Sequence, residues 1–117
     1  MRKEMGLVSG RHSLPVKDYV FNEIEDVLDF VQLELLAEKK LMQIFPEFIG
    51  EEITTLYNEV DHSDIYRYTR GVLHLYVTGL TPAVMAVVNV CIALGVHLTL
   101  MHYDRETGEY IPQGTRI

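Results

Sequence analysis

From Gly71 to Tyr103 the chain carries no Asp, Glu, Lys or Arg. A run of that length has two incompatible readings, a membrane span or a buried strand, turn, helix and strand. The breaks decide between them. Gly79, Pro82 and Gly95 interrupt the run, so no unbroken segment reaches the roughly 20 apolar residues of a span. His74, Asn89, His97 and His102 are also poorly placed for hydrocarbon. No membrane association is therefore expected. Val72, Leu73, Leu75, Tyr76 and Val77 are β-branched, aromatic or apolar, which predicts a strand over roughly residues 72 to 78 of the kind covered on both faces. Thr81-Pro82 predicts an N-cap with proline at the first helical position. The predicted helix from Pro82 to about Leu94 is apolar nearly all round, and a helix without a wet face must be covered on several sides. In a small protein that cover points to a second subunit. Gly95 suits the residue just past the helix end. Val96 to Tyr103 reads as the next strand, Asp104 to Gly108 as a hairpin loop, and Tyr110-Ile111 as the start of a last strand.

Before this run the period changes. Asp29 is a good N-cap, and Gln32 completes a capping-box spacing. Phe30, Leu33, Ala37, Leu41 and Ile44 then recur every three or four residues, which predicts one apolar helix stripe. Pro46 ends it. A second amphipathic stretch places Ile49, Ile53, Leu56, Tyr57 and Val60 on one face, and Asp61 to Asp64 is turn chemistry. Leu7 to Gly10 predicts a first strand closing on a turn. Pro15 leaves two alternatives open, a helix start or an extended stretch to Phe21. Strand, helix and strand in alternation predict an α/β fold: a small Rossmann-like sheet with flanking helices and a C-terminal β-hairpin.

The length of 117 residues predicts one domain spanning the chain. The one cysteine, Cys91, excludes an internal disulfide and suits a reducing compartment. Met1 to Glu4 lacks the apolar segment of a signal peptide, so a cytoplasmic location is expected. A net charge of −7 argues against duplex nucleic acid as a partner. The acids are concentrated between Asp18 and Asp64, where only Lys39 and Lys40 are basic, and they read as solvated helix faces. The two ends are mildly basic, so a small anionic ligand is compatible with the total.

Candidate chemistry lies in two turns that follow strands. At Thr78-Gly79-Leu80-Thr81 a strand gives way to a helix, where unpaired first-turn amides and the dipole end favour an anion. Gly79 lets backbone approach a phosphate, and the Thr78 and Thr81 hydroxyls can donate. The bland alternative is that Thr81 only caps and Gly79 only turns. The turn is not a P-loop and not a dinucleotide fingerprint. Ser9-Gly10-Arg11-His12 follows the first strand. If that strand lies beside the one ending at Thr78, the turns converge, Arg11 can pair with phosphate and His12 can move a proton near neutral pH. A third segment, His102 to Tyr110, offers Arg105 to an anion and Tyr103 or Tyr110 to a base, or is a plain exposed hairpin. The histidines and Cys91 show no spacing of a zinc site, and no metal or cofactor is expected.

The pairing of Val8-Ser9-Gly10-Arg11-His12 with Val77-Thr78-Gly79-Leu80-Thr81-Pro82 ahead of an apolar helix resembles the small CRISPR-associated ring nucleases and, more distantly, the CRISPR-associated Rossmann-fold domains. The resemblance covers these two blocks and leaves out residues 29 to 60. It implies a homodimer that binds a cyclic oligonucleotide messenger, a cyclic oligoadenylate in the first place, across its two-fold axis. Carried over, Ser9, Arg11, His12, Thr78, Gly79 and Thr81 line the ligand, with Arg11 and His12 in the catalytic roles. Gly10 between Ser9 and Arg11 departs from the compact form of that loop, which bears on cleavage more than on binding. The expected activity is metal-independent attack of a ribose 2′-hydroxyl on the adjacent phosphate. The alternatives are a non-catalytic messenger sponge of a viral anti-defence type and a protein-interaction subunit.

Overall fold

The computed structural model describes residues 2–10, 13–49 and 69–115. Seven elements follow in the order β1 (Arg2–Val8), β2 (Asp18–Phe21), α1 (Phe30–Ile44), β3 (Gly71–Tyr76), α2 (Thr81–Leu94), β4 (Val96–Asp104) and β5 (Glu109–Gly114). They form a five-stranded sheet in the order β2-β1-β3-β4-β5, in which only β5 is antiparallel to its neighbour. The fold is α/β, a small Rossmann-like sheet with, among the described residues, two helices and a C-terminal hairpin.

Strand order explains where the helices lie. The connections β2-α1-β3 and β3-α2-β4 both advance in the same direction along the sheet. Right-handed crossovers then place both helices on one face. Alternation along the strands agrees: Met5, Leu7, Leu73, Leu75, Val96 and Leu98 are buried in one core with Leu33, Ala37 and Leu41 of α1 and Ala83, Val87 and Cys91 of α2. The residues between them in sequence, among them Glu4, Gly6, His74, Tyr76, Thr99 and Met101, point to the other face. The step from β1 to β2 runs the opposite way. Its loop crosses that second face, where Leu14 lies against Gly6.

Several sequence expectations meet this structure directly. Asp29 caps α1, its side chain accepting from the Gln32 amide at 3.2 Å. Gly95 ends α2 in the left-handed region, its amide bonded to the Cys91 carbonyl at 3.0 Å. Others need correction. β1 begins at Arg2 rather than Leu7, because its charged first half lies at the exposed amino edge and looks unlike a strand. The Pro15 alternative resolves to extended chain and β2. Phe30 leaves the predicted stripe: it is 56% exposed, while Leu33, Ala37 and Leu41 are buried. The second amphipathic stretch beyond Ile49 and the Asp61 to Asp64 turn lie outside the described residues. No helix among the described residues is long and apolar enough to cross a membrane.

Candidate functional site

β1 and β3 are parallel neighbours, with Gly6 opposite Tyr76. Their carboxyl ends therefore deliver the Ser9-Gly10 turn and the Thr78-Gly79-Leu80 turn to the same edge, side by side. This is also the point where the chain reverses its direction of travel along the sheet. Open α/β sheets bind ligands in the crevice at such a point. The strand order on which their convergence depends is the one observed.

Each turn is shaped by left-handed backbone. Gly10 has φ 83° and Gly79 φ 87°, and a Cβ on either would meet nothing within 4 Å. Leu80 follows Gly79 with φ 55° and ψ 62°, an unfavourable conformation for a branched side chain. Leu80 is half-buried against the core, which holds it there. Its carbonyl accepts from the amides of Ala83 at 2.9 Å and Val84 at 3.1 Å. Leu80, not Thr81, is thus the N-cap of α2. Thr81 is the first helical residue and Pro82 the second, and no side chain caps the helix. The helix end is left for something other than its own side chains to satisfy. Non-glycine left-handed residues cluster where ligands are held, because their strain needs a surrounding reason.

Thr78 supplies the sharpest feature. Its Oγ1 is buried and has no hydrogen-bond partner among the described residues. An unpaired buried hydroxyl costs about 1–3 kcal/mol, and it stands between the end of β3 and the start of α2. Ser9, Gly10, Gly79 and Thr81 are exposed at the same sheet edge. The Ser9 amide is engaged with the Phe21 carbonyl at 3.0 Å, so that residue offers its hydroxyl. Arg11 and His12 lie outside the described residues; the chain places them directly after Gly10.

Arg105 is exposed in the turn between β4 and β5, at the same sheet edge because β4 runs parallel to β3. That turn holds itself. Asp104 Oδ1 accepts from the Glu106 amide at 3.0 Å and Oδ2 from the Thr107 hydroxyl at 3.1 Å. Beneath it sits an aromatic group that spacing along the chain did not single out as a unit. Tyr76 meets Tyr110 edge-on at 4.8 Å, and Tyr110 meets Tyr103 at 5.3 Å. The Tyr76 hydroxyl donates to Glu4 Oε1 at 3.3 Å. Burial first, then the charge and hydrogen bond of Glu4, push the Tyr76 phenol above its ordinary value. It is a positioned ring, not a proton donor to solvent. The signal that could have found this group is the cross-strand pairing of Tyr103 with Tyr110 around the short turn.

Cys91 is buried and its thiol is pushed up to about 12 by desolvation, which makes it inert. His102 Nε2 lies 2.8 Å from Gln113 Oε1. Among the described residues no group of three His, Cys, Asp or Glu could hold a metal ion. Two clefts open elsewhere. One of about 530 Å³ lies between β2, the loop after it and α1, rimmed by Glu23, Glu25, Asp26, Lys39 and Lys40. One of about 290 Å³ separates α1 from α2, lined by Phe30, Val31, Leu35, Val90 and Ala93.

No family model, curated protein or solved structure matches this chain. Its function is therefore read from the two turns at the β1 and β3 ends and their chemistry.

Proposed function

We propose that the protein binds a small cyclic oligonucleotide messenger, with cyclic oligoadenylate as the first candidate, in the crevice between the β1 and β3 ends, and cleaves it. The observation that carries this reading is the buried Thr78 hydroxyl without a partner, at the strand-order reversal and beside an α2 N-terminus that no side chain caps. Its proton would go to a phosphate oxygen, with the Gly79 to Thr81 backbone closing around the same group. A hydroxyl that waits for an anionic acceptor is costly in the free protein and satisfied in the complex.

In the cleavage step, a ribose 2′-oxygen attacks the adjacent phosphorus and the P–O5′ bond breaks. The products are a 2′,3′-cyclic phosphate and a free 5′-hydroxyl. His12 takes the 2′-hydroxyl proton, and the departing 5′-oxygen gains one from solvent or from that same imidazolium. Arg11 and the α2 end stabilise charge that builds on the phosphoryl oxygens. Holding the 2′-oxygen in line supplies most of the rate. We assign the homodimer that the ring-nuclease resemblance implies to the outer helix faces, where Phe30, Val31, Leu35, Met85 and Ile92 are exposed. This reading places the protein in the reducing cytoplasm, where Cys91 stays a thiol.

The test is mass analysis of cyclic tetra- and hexa-adenylate after incubation with the protein in EDTA. Linear products ending in 2′,3′-cyclic phosphate are expected. Intact nucleotide together with no measurable binding would overturn the proposal. A sponge is the second reading, because Ser9, Thr78 and Thr81 bring hydroxyls but no acid or base to the crevice. Intact cyclic nucleotide released by heat-denaturing the complex would select it.

A further inference from the structure

The two strands of the C-terminal hairpin outrun the rest of the sheet. The ladder between β3 and β4 ends at the pair Tyr76 and Met101, while β4 continues through His102, Tyr103 and Asp104. At roughly 3.3 Å per residue the extra length is about 10 Å. β5 stays paired along it, His102 with Ile111, Tyr103 with Tyr110 and Asp104 with Glu109. The result is a two-stranded arm standing beyond the sheet edge, next to the turn that follows Tyr76.

The arm carries its tyrosines in a graded order. Tyr76 is 7% exposed and held by Glu4, Tyr110 is half-buried with its ring edge-on to Tyr76, and Tyr103 is 54% exposed. Tyr103 is tilted by 56° against Tyr110. Each ring is fixed by the one below it, and the outermost presents bare aromatic surface. A tyrosine in an ordinary hairpin has no such support. The Asp104 bonds to Glu106 and Thr107 fix the tip, so the arm does not depend on a ligand for its shape.

We propose that Tyr103, backed by Tyr110 and Tyr76, is a stacking subsite for one nucleobase of the ligand whose phosphate Thr78 receives. This rests on the nucleotide-binding reading above and adds to it the group that recognises the base. Sequence and ring contact link the two: Thr78 lies two residues past Tyr76, and the Tyr76 ring meets Tyr110 of the arm at 4.8 Å. Stacking on an aromatic ring reads a planar base without demanding one sequence. It therefore favours purine-bearing rings by surface and leaves the phosphate contacts to set the register.

The experiment is equilibrium dialysis of cyclic tetra-adenylate and cyclic tetra-uridylate against wild type, Tyr103→Ala, Tyr103→Trp and Thr78→Val, with circular dichroism to verify the fold. Tyr103→Ala is expected to weaken adenylate binding about tenfold, and uridylate less, while Tyr103→Trp retains adenylate binding. Equal adenylate affinity in wild type and Tyr103→Ala, with Thr78→Val weakened, overturns the stacking subsite alone. Wild type that binds neither ring overturns both readings. A change in oligomeric state with Tyr103→Ala assigns the ring to a subunit contact and also overturns the subsite.

Discussion

Arg70 Nε donates to the carbonyl of Leu94 at 2.9 Å, closing the C-terminal end of α2. The same guanidinium reaches the end of α1, donating from Nη1 to Phe45 at 3.3 Å and to Pro46 at 2.9 Å. One planar cation thus satisfies orphan carbonyls of both helices and meets the negative end of both dipoles. The Phe48 ring lies 4.3 Å from its Cζ. Arg70→Ala is expected to lower stability by about 3 kcal/mol, since hydrogen bonds to charged groups contribute about 1.5–3 kcal/mol each. Arg70→Lys keeps the charge but not the fork and recovers only part. Urea denaturation measures both. Ligand affinity of the folded variants is expected to be unchanged, because Arg70 stands at the amino edge, away from the crevice.

Gly6 makes room for Tyr19. A Cβ at Gly6 would lie 2.6 Å from two ring carbons of Tyr19 and 2.9 Å from Leu14 Cδ1. The ring pairs laterally with Gly6 across β1 and β2, and the loop carrying Leu14 closes over both. Gly6→Ala must displace a ring and a loop together. The expected loss is about 1–3 kcal/mol, the ordinary cost of overpacking, read as a lower urea midpoint. Gly6→Ala combined with Tyr19→Ala relieves the contact with the ring, leaving that with Leu14, and should cost less than the two single changes added. Simple additivity would show that the close approach carries no strain.

Thr78 sets stability against binding. Replacing its hydroxyl by a methyl group in Thr78→Val removes a buried polar atom that has no partner among the described residues. The free protein is expected to gain up to about 1 kcal/mol, part of the penalty for an unsatisfied buried group. Affinity for cyclic tetra-adenylate should fall about tenfold or more in the same variant, while Thr78→Ser retains it. Loss of stability in Thr78→Val would mean that the hydroxyl is already satisfied in the free protein.

The parts of this fold that were legible in the sequence are those governed by local chemistry. Asp29 and Gln32 announced the start of α1, Gly95 the end of α2, and the Gly79-Pro82 punctuation the turn between β3 and α2. The strand order was not legible, because nothing local says that β1 inserts between β2 and β3. It follows from long-range pairing and the handedness of the crossovers. Charged Arg2, Lys3 and Glu4 hid the first half of β1, since an edge-exposed strand end does not need apolar residues. By residue type Thr81 is the cap, whereas the backbone turns one residue earlier at Leu80. No propensity scale favours leucine in that conformation. Of the candidate site, the Ser9-Gly10 turn and the Thr78 to Thr81 turn share one sheet edge with Arg105, while Arg11 and His12 lie outside the described residues. The tyrosine arm is not legible as a unit, because Tyr76 and Tyr110 belong to separate elements and meet only through register.

His74 ties stability to pH. It sits on the second face of β3, opposite Glu4 on β1 and Thr99 on β4. Partial burial lowers its pKa from 6.5, the Arg2 charge lowers it further, and Glu4 opposes the shift. The native imidazole therefore stays neutral at a pH where the unfolded chain has begun to take up a proton. Where the unfolded state binds more protons, stability rises with pH. So the contribution of His74 is fully present above about 6.5, the unfolded value, and is lost as pH falls from there through the lower folded value. Urea midpoints of wild type and His74→Gln between pH 7.5 and 5.5 separate this group from the carboxylates, which titrate at lower pH. The wild-type midpoint should fall with acidification more steeply than that of His74→Gln. Arg2→Ala should lessen the slope, since the lowered pKa then loses one of its causes. Parallel midpoint curves for wild type and His74→Gln would assign the pH dependence to other groups.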